Sequence, residues 1–135
     1  MITAVDTSVL LDVYLADPEH GQASATALRQ AMADGALVAC EAVWAEICAA
    51  FPQDQGAQAL RTLGIGFDPL DEGASIRAGD LWRAYRAAGG TRSRVAADFL
   101  IGAHAGARAD RLLTRDHGFF RGYFLDLELV VPGPL

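Results

Sequence analysis

The chain contains no lysine. All its fixed side-chain cations are arginines, 11 of them against 17 acids, for a formal net charge of −6. Cysteine is nearly absent too. Cys40 and Cys48 have neither metal-ligand spacing nor the numbers for a disulfide framework, so they read as small buried residues in a reducing compartment. His20, His104 and His117 are too scattered for a metal centre. Any bound metal would therefore rest on oxygen ligands. No basic segment followed by an apolar run and cleavage site opens the chain, so no signal peptide is expected. The richest apolar window, near residues 39–51, holds Glu41 and Glu46 and is too short to span a bilayer. These absences predict a soluble cytoplasmic protein with no membrane partner.

Apolar residues make up 52% of the 135 positions, enough for the core of one domain spanning residues 1–135. There is no internal repeat, low-complexity stretch or linker. Charge is divided unevenly. Residues 1–72 carry two arginines and eleven acids; residues 73–135 carry nine arginines and six acids. An acidic pocket beside a cationic surface would suit a phosphate-bearing partner. Arginine-for-lysine usage set by genome composition, with solvated side chains, explains the same numbers.

Residues 2–5 read as a short buried strand, β-branched and apolar, ended by Asp6. Thr7 and Ser8 are placed to cap a helix through Leu15. Asp17-Pro18 signals a second helix, to about Ala33. A strand at 37–40 precedes a helix at 41–50 that stops before Pro52. A helix over 54–63, an extended piece at 66–70 and a long helix over 71–88 follow. Thr91-Arg92-Ser93-Arg94 is a cationic loop. Residues 95–109 form a helix of mostly small side chains. A strand at 111–114, a short helix at 116–120 and a strand at 127–131 close the chain. Strands alternating with helices predict a parallel, three-layer α/β domain.

Four carboxylates stand out by position. Asp6 and Asp116 follow strand ends, where parallel α/β folds place ligands. Glu46 falls on the apolar stripe of its helix, between Val43 and Ala50, and Asp98 lies in an apolar helix of small residues. Gathered in one pocket they would repel. Two unit charges about 4 Å apart at an effective dielectric near 20 cost roughly 4 kcal/mol. Protons or a cation must offset that, and an oxygen-only donor set suits Mg²⁺ or Mn²⁺. Such an ion promotes in-line attack of water on a phosphodiester. Each acid also has a plainer reading. Asp6 and Asp116 would cap the helices that follow them, and Asp98 would complement a helix N-terminus. Glu46 is harder to explain that way, because an unpaired buried carboxylate is costly.

Four segments carry a family resemblance over nearly the whole length: Val5-Asp6-Thr7-Ser8-Val9-Leu10, Val43-Trp44-Ala45-Glu46-Ile47, the helix around Ala97-Asp98-Phe99, and Leu113-Thr114-Arg115-Asp116-His117-Gly118-Phe119. In this order they resemble the motifs of PIN domains, in particular the VapC-type toxins of toxin–antitoxin pairs. Cys40 and Glu41 depart mildly from the pattern, and Glu41 is expected to face solvent. The resemblance implies a PIN-like α/β/α fold with a mainly parallel central sheet. It also implies a Mg²⁺- or Mn²⁺-dependent endoribonuclease that cleaves RNA with water, leaving a 5′-phosphate and a 3′-hydroxyl. Asp6, Glu46, Asp98 and Asp116 would be its catalytic residues. Asp6 and Asp98 would be direct metal ligands. Asp116 would hold a second ion or act through water, and Glu46 would ligate an ion or orient a water. Ser8 and Thr114 would fix carboxylates, and Arg92 and Arg94 would hold RNA phosphates. The implied partners are a VapB-like antitoxin, seated near the acid pocket, and a second copy of the chain in a homodimer, with the helix over 71–88 as an interface candidate.

Rival readings fall short on particular residues. Haloacid dehalogenase-like phosphatases need a second Asp where this chain has Ser8, and response-regulator receivers need a lysine. A non-catalytic module that binds RNA or protein is the stronger alternative, and the four intact acids argue against it. Trp44, Trp82 and Tyr85 are expected in the core or an interface rather than as base-stacking platforms. His104 is expected to pack rather than ligate, and His117 adjoins the acid site.

Overall fold

A computed structural model describes residues 1–92 and 95–133. The elements run β1 (Ile2–Val5), α1 (Thr7–Tyr14), α2 (Gly21–Asp34), β2 (Ala36–Ala39), α3 (Glu41–Ala50), α4 (Gln55–Thr62), β3 (Ile65–Phe67), α5 (Glu72–Ala87), α6 (Val95–Arg108), β4 (Arg111–Leu113), α7 (His117–Tyr123) and β5 (Leu129–Val130). The five strands form one parallel sheet in the order β3-β2-β1-β4-β5. On the central strand β1, the consecutive residues Thr3, Ala4 and Val5 are all buried. Neighbouring strand residues point to opposite faces, so both faces of the sheet are covered by helices. This is the expected three-layer α/β arrangement.

The strand order sets the place of the site. From β1 the chain steps outward through β2 to β3, then crosses back to β4 on the other flank of β1. The order reverses between β1 and β4, and a crevice opens there beyond the carboxyl ends of the strands. Thr3, Ala4 and Val5 lie opposite Arg111, Leu112 and Leu113. The Asp6 N–H donates to the Leu113 carbonyl at 2.9 Å, which brings the end of β1 beside that of β4.

The small residues of α6 serve close packing. A Cβ on Gly102 would lie 2.3 Å from the Phe124 ring, so glycine lets the ring seat on the helix. Phe99, on the same helix, is the hub of an aromatic cluster, with ring centres 5.1 Å from Phe119, 5.2 Å from Tyr123 and 5.7 Å from Tyr85. The cluster ties α7 and the end of α5 to the first turns of α6. Trp44 packs edge-on to Phe67, and Trp82 is partly exposed beneath the Arg86 guanidinium.

Local differences from the sequence expectations have local causes. Helix α2 begins at Gly21, because Asp17 caps a separate turn: its carboxylate accepts from the N–H groups of Glu19 and His20 at 3.1 and 2.7 Å. Glu41 is exposed as expected, and its carboxylate accepts from the Leu70 N–H at 2.9 Å. Among the described residues, no helix is long and apolar enough to cross a membrane.

Candidate active site

Asp6 is the residue just before α1, yet its carboxylate makes no capping hydrogen bond. Two hydroxyls meet it instead. Ser8 Oγ donates to Asp6 Oδ2 at 3.0 Å and Thr114 Oγ1 donates to the same oxygen at 2.7 Å. Thr114 Oγ1 in turn accepts from the Asp116 N–H at 3.0 Å. Asp116 likewise precedes its helix without a capping bond from its side chain. The capping explanation therefore fails for both acids. Thr7 and Ser8 do not cap α1 either. Ser8 serves Asp6, and Thr7 Oγ1 donates to Glu46 Oε1 at 2.7 Å.

A cavity of about 250 Å³ is lined by Asp6, Ser8, Arg92, Arg115 and Asp116. Asp98, in the first turn of α6, is as buried as Asp6, each 1% exposed. It reaches the cavity through Arg92, whose Nε lies 3.4 Å from Asp98 Oδ2 and whose Nη2 pairs with Asp116. Arg92 is well anchored. Its guanidinium sits 4.9 Å from the centre of the Phe119 ring, and its N–H donates to Tyr85 Oη at 2.7 Å. Arg92, the candidate for holding RNA phosphates, joins two of the acids. The predicted companion Arg94 lies outside the described residues.

Glu46 comes from the other flank of β1. It is half-buried and lines a neighbouring hollow with Thr7, Ser8, Leu11, Ala49 and Ala50. Ser8 belongs to both cavities, so the two adjoin. Asp98 and Asp116 meet at Arg92, Asp6 lines the same cavity as Asp116, and Glu46 lines the adjoining one. Helix α3 begins beyond β2, on the far side of β1 from β4.

The donor chemistry fits a hard divalent cation, because Asp6, Asp98 and Asp116 offer only oxygen and two of them are buried. Among the described residues, however, no three His, Cys, Asp or Glu side chains are already gathered as a ligand set. The guanidinium of Arg92 supplies positive charge between Asp98 and Asp116. A divalent ion would have to take over that part.

Two further groups were not visible as functional in the sequence. Asp12 of α1 is buried, accepts from Ser24 Oγ at 2.8 Å, and takes Arg115 Nε and Nη2 at 2.8 and 3.0 Å. This pairing raises the Arg115 pKa. Asp12 falls three residues after buried Val9, so an acid on an apolar stripe was its available signal, as it was for Glu46. At the other end of α6, buried His104 Nε2 lies 2.8 Å from Asp68 Oδ2, and Arg108 grips Asp68 with Nε and Nη2 at 3.0 and 2.9 Å. Arg108 first, then His104, holds the Asp68 carboxyl down at a pKa of about 2. His104 is packed, as expected.

Residues 3–125 match a family profile described as PIN domain. No curated protein sequence matches the chain. Among solved structures it resembles VapBC2 from Rickettsia felis bound to a DNA fragment from its promoter, with 18% identity over 97% of this chain and 98% of that one and a TM-score of 0.72. VapBC-1 from nontypeable Haemophilus influenzae gives 18% identity over 97% and 98%, with a TM-score of 0.69. FitAcB from Neisseria gonorrhoeae gives 21% over the full length of both chains, with a TM-score of 0.66. At these identities the likeness establishes the fold.

Proposed function

This chain belongs to the PIN domain family, and from that premise we propose that it is a metal-dependent endoribonuclease, the toxin of a VapBC-like pair. The observation that carries this reading is the meeting of three acids at the sheet's switch point. Asp6 and Asp98 are buried, Asp116 stands at the rim, and Arg92 and Arg115 line the same cavity. Carboxylates gathered at a partly buried site offer the oxygen donors that suit a hard divalent cation.

Asp6, Asp98 and Asp116 would hold Mg²⁺ or Mn²⁺. When bound, the ion supplies Lewis acidity toward a phosphodiester and its attacking water. The chain's own residues do the rest. Ser8 and Thr114 converge on one oxygen of Asp6 and fix the plane of its carboxylate. Thr114 also positions the backbone of Asp116. Glu46, held by Thr7, orients a water or a cation from the adjoining hollow. Arg92 is counter-ion to Asp98 and Asp116, and would hold RNA phosphate, with Arg94 beside it in sequence. Among the solved structures it resembles, one is named as a toxin–antitoxin complex, and VapBC2 and FitAB are bound to DNA. A VapB-like antitoxin and a second copy of this chain are the partners this reading carries.

The test is cleavage of a mixed structured-RNA pool by the purified protein with Mg²⁺, Mn²⁺ or EDTA, beside Asp98→Asn. Metal-dependent cleavage that is lost in Asp98→Asn is the expected result. Equal cleavage by both proteins would overturn it. Cation binding without cleavage by either would favour a non-catalytic RNA- or protein-binding module.

A further inference from the structure

Two arginines line the acid cavity, and they are held in different ways. Arg92 pairs with acids that belong to the site. Arg115 is paired with Asp12, which does not line that cavity. Its Nε and Nη2 go to the two oxygens of Asp12, whose side chain is 4% exposed. Ser24 of α2 fixes the same carboxylate. The guanidinium is therefore gripped along one edge by a buried acid and cannot swing onto Asp6 or Asp116. A guanidinium carries five N–H donors, and Asp12 takes two. No hydrogen bond from Arg115 Nη1 occurs among the described residues, and the side chain is 39% exposed at the cavity wall.

We infer that Arg115 is the fixed phosphate-binding residue of this site, and that Asp12 and Ser24 are its positioning residues. This rests on the nuclease reading above. The chemistry has a clear logic. An arginine beside acidic metal ligands would normally collapse onto them and neutralise the donors a cation needs. Tethered to Asp12, Arg115 can offer hydrogen bonds to a non-bridging phosphate oxygen and leave Asp6 and Asp116 to the metal. Planar, pre-organised donors also hold the phosphodiester in one orientation for in-line attack.

The test measures RNA cleavage, thermal stability and Mn²⁺ binding for four proteins: wild type, Arg115→Gln, Arg115→Lys and the neutral pair Asp12→Asn/Arg115→Gln. Arg115→Gln should lower kcat/KM by about 100-fold or less, chiefly through KM, and leave Mn²⁺ affinity nearly unchanged. It should also reduce the slope of log affinity for single-stranded RNA against log salt by about 0.7, the share of one phosphate contact. Because that variant leaves Asp12 buried alone, it should also melt early. The neutral pair removes the lone charge and should regain stability without regaining RNA affinity. Arg115→Lys keeps the charge and the fold but lacks the fork, so kcat/KM should still fall about ten-fold. Recovery of both stability and cleavage in the neutral pair would reduce Arg115 to a structural ion pair and overturn the inference. So would a lysine variant equal to wild type. Failure of the wild type itself to bind or cleave RNA would instead strike the nuclease reading and take this inference with it.

Discussion

Helix α6 carries a charge cluster at each end, built from similar side chains in different settings. Near its C-terminus one carboxylate, Asp68, is shared by Arg108 and His104. Near its N-terminus Arg92 pairs with Asp98 and Asp116, and Asp6 and Arg115 line the same cavity. The first cluster is closed: each oxygen of Asp68 has its donor, and the group joins the end of β3 to α6. The second gathers three acids, two of them buried, and stands at the switch point of the sheet. An ion pair alone marks nothing, since both ends have one. Burial of the acids and position in the topology separate a structural clasp from the proposed cation site.

The sharpest break of this comparison is the same substitution made at both ends. Asp98→Asn should reduce RNA cleavage by more than about 100-fold, since groups that merely orient metal ligands are worth 10–100-fold. Its melting temperature should change little, because the lost Arg92 contact is offset by relief from neighbouring acids. Asp68→Asn should do the reverse, keeping cleavage and lowering the melting temperature by about 4–8 °C. Cleavage and calorimetry on the two purified variants decide it. Comparable cleavage losses at both ends would erase the distinction.

A smaller loss is expected from Thr114→Val, which is nearly isosteric and removes only the hydroxyl. Asp6 Oδ2 loses its 2.7 Å donor and the Asp116 N–H loses its acceptor. Divalent-ion affinity, measured by calorimetric titration, should fall about ten-fold or more. Unchanged affinity would mean that Asp6 is held well enough by Ser8 alone. Arg92→Gln should move affinity the other way. Removing the resident counter-ion should tighten Mn²⁺ binding about ten-fold, equal to about 1.4 kcal/mol, as read from the free-ion signal in electron paramagnetic resonance. Weaker binding in that variant would mean that Arg92 organises the acids instead of standing in for a cation.

The elements of this molecule are more legible in the sequence than their meeting. The element order was readable because each strand is a short apolar run and each helix has its own period or stop signal. Ile2–Val5 and the small-residue helix around Asp98 are the clearest cases. The start of α2 was misread because Asp-Pro fits a helix start and a capped turn equally well. Asp6 and Asp116 were legible as acids at strand ends, and Ser8 and Thr114 as hydroxyls near them. The grouping was not. Arg92 meets Asp116 across 24 positions, Arg115 meets Asp12 across 103, and His104 meets Asp68 across 36. No local pattern encodes such distances. Arg115 filled the variable place in its motif, and Asp68 read only as part of an extended piece.

Acid should dissolve the closed cluster in a predictable window, and this gives the smallest effect. The Asp68 carboxyl is held at about 2 in the folded protein, below its ordinary value near 3.8, by Arg108 and then His104. A depressed carboxylate contributes stability that is fully present above the unfolded value and is lost as pH falls through the folded one. The contribution is therefore whole at pH 5 and above, shrinks between about pH 4 and pH 2, and is gone below. Its ceiling is about 2 kcal/mol, and partial exposure of the pair reduces it. Once protonated, Asp68 differs little from asparagine. The stability gap between wild type and Asp68→Asn, from urea unfolding at each pH, should be widest at pH 5 and close toward pH 2. A gap of constant width across that range would show that Asp68 acts through neutral hydrogen bonds rather than charge, and would remove the electrostatic half of the contrast between the two ends of α6.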